Sequence, residues 1–144
     1  MPLTTDQELS ELLHYTRTIA LVGASDRPNR PSYGVMRSLQ VHGYRVYPVN
    51  PQLAGSRIHD EHVWADLAEI DDVIDMVDIF RNSAAAGEVV DQAIAIGAKA
   101  VWMQIGVINH EAAARAEAAG LKVVMDRCPK IDIRRLNVAP AGGY

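Results

Sequence analysis

Apolar positions recur along this chain with two periods, and the alternation between them lays out the elements. Leu9, Leu12 and Leu13 share one helical face behind the capping-box pattern Thr5-Asp6-Gln7-Glu8, predicting a first helix over about 5–15. Ile19 to Val22 is a short unbroken apolar run, the pattern of a parallel strand covered on both faces. Val35, Met36 and Leu39 return to helical spacing from about Ser32 to His42, with Ser32 expected as the cap and Gly43 as the stop. Tyr44 to Val49 predicts the second strand, which leaves through Asn50-Pro51. Gln52 to Asp72 is irregular, with one helical turn expected at Asp66 to Ile70. Val73 to Phe80 predicts a third strand, whose aspartates argue for the sheet edge.

The second half repeats the alternation. Asn82 or Ser83 caps a helix striped by Val89, Val90, Ala93 and Ile94, and Gly97 ends it. Lys99 to Gln104 is a fourth strand, and Ile105-Gly106-Val107 turns after it. Asn109 caps an alanine-rich helix that Gly120 stops. Leu121 to Met125 is a fifth strand, and Pro129 sits at the first position of a last helix reaching Leu136. The tail 138–144 reads as loose. Strand–helix alternation of this kind predicts one α/β domain over 1–144, core about 17–136, with a parallel sheet of about five strands and helices on both faces.

Composition narrows the class. With 49% hydrophobic residues, 22% charged residues and a net charge of −4, the chain is expected to be globular and not to bind nucleic acid broadly. No stretch is long and apolar enough for a membrane span, and the N-terminal residues lack a signal-peptide pattern. Cys128 is the single cysteine, so no internal disulfide forms. Together these features predict a cytoplasmic protein.

In parallel α/β sheets, ligands bind beyond the carboxyl ends of the strands, where the strand order switches. Attention therefore falls on Gly23-Ala24-Ser25, three small residues opening a loop that ends at a helix N-terminus. Arg27 and Arg30 add positive charge to that loop. A phosphate-bearing ligand there is weighed evenly against an ordinary strand-to-helix connection. The dinucleotide fingerprint is incomplete: only one glycine stands where two are expected, and the second strand ends in Asn50-Pro51 without an acid for the ribose hydroxyls. The P-loop pattern is absent.

Several stretches carry a resemblance across about 18–136: Val22 to Ser25, Ser32 to Val35, Gly43 to Pro51, Ile79 to Arg81, Gly97 to Val107, and Val124 to Cys128. Together they resemble the small stand-alone CoA-binding proteins, whose Rossmann-like domain also forms the N-terminal part of the succinyl-CoA synthetase α subunit. The resemblance implies coenzyme A or an acyl-CoA as ligand. It implies that Gly23, Ala24 and Ser25 meet the phosphates, that Asn50 and Pro51 lie near the adenosine half, and that Phe80 and Arg81 line the cleft. Gln104, Ile105 and Gly106 would border the pantetheine arm. Ser32, at the helix start, joins this set, as do Arg27 and Arg30 on charge alone. The synthetase's phosphorylated histidine lies in a later domain that this chain does not reach, so that activity is not expected to carry over.

No catalytic group and no metal site is assigned. His59 and His62 have metal-compatible spacing but read as solvated, and Asp71, Asp72, Asp75 and Asp78 read as a solvated edge rather than an acid/base pair. Asp126-Arg127 reads as an internal ion pair. Cys128 is weighed as a small buried cysteine against a partner for a mixed disulfide with the pantetheine thiol. Two further readings stay open: a fragment of a nicotinamide-dependent oxidoreductase, and a CoA-responsive module acting on a protein partner. A second copy of the chain as partner is also compatible with the sequence.

Overall fold

In the computed structural model, which describes residues 1–141, the first strand, β1 (Thr18–Val22), lies between β2 (Arg45–Val49) and β5 (Met76–Ile79). The sheet continues through β6 (Ala100–Met103) to β7 (Lys122–Val124), all parallel, in the order β2-β1-β5-β6-β7. The short strands β3 (Arg57–Ile58) and β4 (Glu61–His62) form a separate antiparallel hairpin. The chain thus has a Rossmann-like α/β fold. Its order reverses between β1 and β5, which fixes where the carboxyl-end crevice opens.

Two apolar clusters sandwich the sheet. On one face Ala20, Val77, Ile79, Val101 and Met103 pack with α3 (Ser83–Ala95) and α4 (His110–Ala118) through Val89, Val90, Ala112 and Ala116. On the other, Ile19, Leu21, Met76 and Trp102 meet α1 (Asp6–Tyr15), α2 (Pro31–Val41) and α5 (Pro129–Arg135) through Leu9, Leu13, Met36, Leu39 and Ile133. Period-two alternation along each strand supplies both faces. The helix starts follow local chemistry: Thr5 and Glu8 form the capping box, while Asn82 and Asn109 accept from the amides of Ala85 and Ala112.

Several expectations change. The third strand is interior, not an edge: β5 pairs with β1 and β6, and Asp78 is fully buried in it. Of the neighbouring acids, Asp71 and Asp72 are exposed as expected, with Asp72 accepting from Tyr47 Oη at 2.5 Å, whereas Asp75 is half-buried and accepts from the amide of Arg17 at 2.8 Å. Ser32 does not cap α2. The helix begins one residue earlier, at Pro31, because proline has no N–H to satisfy at that position, and Ser32 is carried inside the first turn and buried. Asp126 and Arg127 do not pair with each other: Arg127 binds Asp132 bidentately at 2.7 and 2.8 Å, and Asp126 accepts from the amide of Gly106 at 2.7 Å. The tail is packed through Ala141, whose amide donates to His42 O at 2.8 Å, with Val138 and Ala141 buried. The remaining positions of that tail, 142–144, lie outside the described residues.

Candidate functional site

The loops after β1 and β5 touch at the point where strand order reverses. Gly23 adopts φ +91°, and a Cβ there would collide with the Phe80 carbonyl. Its glycine identity is therefore a requirement of the fold itself, and a bulky replacement would probe folding rather than ligand approach. The amides of Gly23 and Ala24 both donate to Val49 O, at 3.0 and 3.2 Å. They are spent on tying β1 to β2, which corrects the expectation that they face a phosphate. Among the described residues, the amides of the next two positions, Ser25 and Asp26, have no partner. The donors available to an anion are thus displaced by one or two residues along the loop, because the first two amides extend the β1–β2 pairing past the strand end.

Around this loop lies a cleft of about 640 Å³. It brings together Gly23, Ala24, Ser25, Arg27, Arg30, Ser32, Asn50, Phe80 and Arg81 of the sequence-derived set. Pro51 lines a smaller continuation toward β2. Asn50 holds the rim rather than reaching inward: its Nδ2 donates to Ala24 O at 2.8 Å and its Oδ1 accepts from the Gln52 amide at 2.9 Å. Gln52 and Leu53 also line the cleft. The 3-10 turn Pro51–Leu53 delivers them, started by the Asn50 side chain; the irregular pattern of that segment hid them in the sequence.

The electrostatics of the cleft are one-sided. Arg27, Arg30 and Arg81 are exposed, and among the described residues their side chains have no hydrogen bond or ion pair. Among the described residues, Asp26 is the one acid in the lining. Ser32 is only 4% exposed, yet its hydroxyl has no partner among the described residues. That hydroxyl stays accessible, and beside guanidinium groups and amides without partners it completes a donor set for an anion with several oxygens.

A second groove, about 820 Å³, adjoins the first through Arg30, Pro31, Phe80 and Arg81. Gln104 and Ile105 line it, together with Val35, Cys128 and Ile131, which the sequence did not single out for this role, apart from Cys128. Gly106 is not in this lining; its amide is committed to Asp126. Cys128 is 6% exposed at the start of α5, in agreement with the small buried cysteine. Beneath the groove, Gln104 reaches the buried Asp78, its amide nitrogen assigned 2.9 Å from Oδ1 and 3.2 Å from Oδ2. Burial pushes the Asp78 carboxyl well above the usual carboxylate range. His59 and His62 sit on the β3–β4 hairpin, not on a helix. His59 Nε2 lies 2.8 Å from Tyr33 O, and the His62 ring packs edge-on against Trp64.

The chain matches a family model described as a CoA binding domain over residues 17–134. It is 37% identical over 128 residues to uncharacterized protein YneT of Bacillus subtilis, covering 86% of this chain and 90% of that one. It is 30% identical over 95 residues to the alpha subunit of the ADP-forming acetate–CoA ligase I of Pyrococcus furiosus. That alignment covers 63% of this chain and 21% of the subunit. A solved hypothetical protein from Pyrococcus horikoshii OT3 superposes with a TM-score of 0.89 at 40% identity, over 95% of this chain and 96% of that one.

Proposed function

Because this chain belongs to the CoA-binding domain family, we propose that it binds coenzyme A or an acyl-CoA at the switch point between β1 and β5. The observation that carries this reading is the set of three arginines, Arg27, Arg30 and Arg81, that face one cleft without a partner among the described residues. The ligand's pyrophosphate and ribose phosphate are the charges that such a set suits, since several cations around a phosphate give strong, salt-sensitive attraction. The adenosine half goes toward Asn50 and Pro51, where no carboxylate stands to repel a phosphorylated ribose. The pantetheine arm runs past Phe80 toward Gln104 and Ile105. The Ser25 and Asp26 amides and the Ser32 hydroxyl serve the phosphates, with Gly23 and Ala24 shaping the loop that presents them. The role proposed is binding, with no catalytic step assigned to the chain.

Isothermal titration with CoA, dephospho-CoA and NAD tests this reading. CoA should bind, with affinity roughly 10- to 100-fold above dephospho-CoA, the range expected for charge-assisted hydrogen bonds to one phosphate. Binding of NAD with no binding of CoA would overturn the assignment.

A further inference from the structure

Resting on the reading above, we propose that the second groove seats an aliphatic acyl chain, so that the preferred ligand is a thioester carrying a neutral hydrocarbon group rather than free CoA. The groove is continuous with the phosphate cleft across Phe80 and Arg81. Past that junction its chemistry changes: Val35, Ile105, Val107 and Ile131 supply the walls, with Cys128 among them. Among the described residues no Asp or Glu lines it, and Asn29, Gln104 and Lys130 are its polar side chains beyond the junction. Ile105 and Ile131 are 61% and 54% exposed, two large aliphatic side chains facing one hollow from the β6 exit loop and from α5.

Large apolar side chains that flank a groove and stay wet gain when another apolar group covers them. The pantetheine arm is amide-rich and ends in a thiol, so it offers little to cover them with. A chain attached at the sulfur does offer it. Of the polar side chains in this lining, Gln104 is already engaged with Asp78, Arg30 and Arg81 belong to the junction with the phosphate cleft, and Asn29 and the exposed Lys130 remain. With four aliphatic side chains against Asn29 and Lys130, we assign selection along the groove to hydrocarbon contact, worth up to about fourfold in affinity for each methylene fully buried.

The test is a titration series of CoA with acetyl-, butyryl-, hexanoyl- and octanoyl-CoA against the full chain and against Ile131→Asp. Affinity should rise roughly two- to fourfold per methylene up to the chain length that fills the groove. Ile131→Asp, on the exposed face of α5, should flatten that rise while leaving free-CoA affinity within about twofold. CoA binding with no dependence on chain length overturns this inference and leaves the binding reading standing. Absence of CoA binding overturns the binding reading itself. Glutaryl-CoA binding more tightly than hexanoyl-CoA would assign the groove to a charged chain held by Lys130, and so also overturns it. A dimer in sedimentation that Ile131→Asp dissociates, with acyl length having no effect, overturns it as well and makes the groove a contact between two copies of the chain.

Discussion

The two ends of the parallel sheet hold charge in opposite ways. At the amino ends the carboxylate of Asp75 is fully engaged. Asp75 accepts from the amides of Arg17 and Thr18 at 2.8 and 3.3 Å and meets Lys99 at 3.3 Å, while its own amide donates to Thr18 Oγ1 at 2.9 Å. At the carboxyl ends, Arg27, Arg30 and Arg81 stand around an open cleft with no ion-pair partner among the described residues. The contrast separates two uses of a charged side chain. A carboxylate that closes off strand-end amides contributes to the fold, because those amides would otherwise lose their bonds. An exposed arginine without a partner contributes almost nothing to the fold, since even a paired surface arginine is worth about 0–1 kcal/mol. It keeps its full capacity for a phosphate.

Breaking each end should therefore move a different observable. The larger effect belongs to the open end. Arg27→Ala combined with Arg81→Ala should cut CoA affinity about 100-fold, some 2.7 kcal/mol, with the thermal midpoint within about 2 °C of the parent. A fall in midpoint with unchanged affinity would erase the contrast. At the closed end, Asp75→Ala should cost about 2 kcal/mol in urea unfolding, because it strips the amides of Arg17 and Thr18 of their acceptor, and should leave CoA affinity within about twofold. Loss of CoA affinity in that variant would mean that the two ends are coupled through β1.

The sequence made the scaffold legible wherever local chemistry dictates structure. The apolar runs located all five strands of the main sheet, and Thr5, Asn82 and Asn109 marked their helices, because capping is decided within a few residues. The cleft was legible at the level of which loops line it, since parallel topology alone sends Gly23, Asn50, Phe80 and Gln104 to one side of the sheet. What was not legible depends on pairing across the chain. The Gly23 and Ala24 amides are taken by Val49, 25 or more residues away, and no local pattern reports that. Arg127 passes over the adjacent Asp126 for Asp132, which is one turn into α5 and 3% exposed. Asp78 misled most, because a carboxylate in a strand is ordinarily a sign of exposure.

Asp78 also offers the finest test of the comparison, as an acid that belongs to neither end. It lies mid-sheet, between Leu21 of β1 and Trp102 of β6, with no exposed surface. Burial raises its carboxyl well above 3.8 in the folded chain. Below the unfolded value both states are protonated; as pH rises above it, the unfolded chain releases the proton while the folded chain retains it, so stability declines until the folded value is passed. An asparagine at this position cannot ionise. Asp78→Asn should therefore match the parent or fall slightly below it near pH 4, because its extra N–H donor needs a partner, and overtake it as pH climbs. At pH 7 the advantage should be on the order of 1 kcal/mol. Urea midpoints of both proteins between pH 4 and 8 read this out. Parallel curves would mean that Asp78 is ionised in the native state, held as a carboxylate by Gln104. The groove floor would then carry a negative charge close to the proposed path of the pantetheine arm, and CoA binding should weaken as Asp78 ionises.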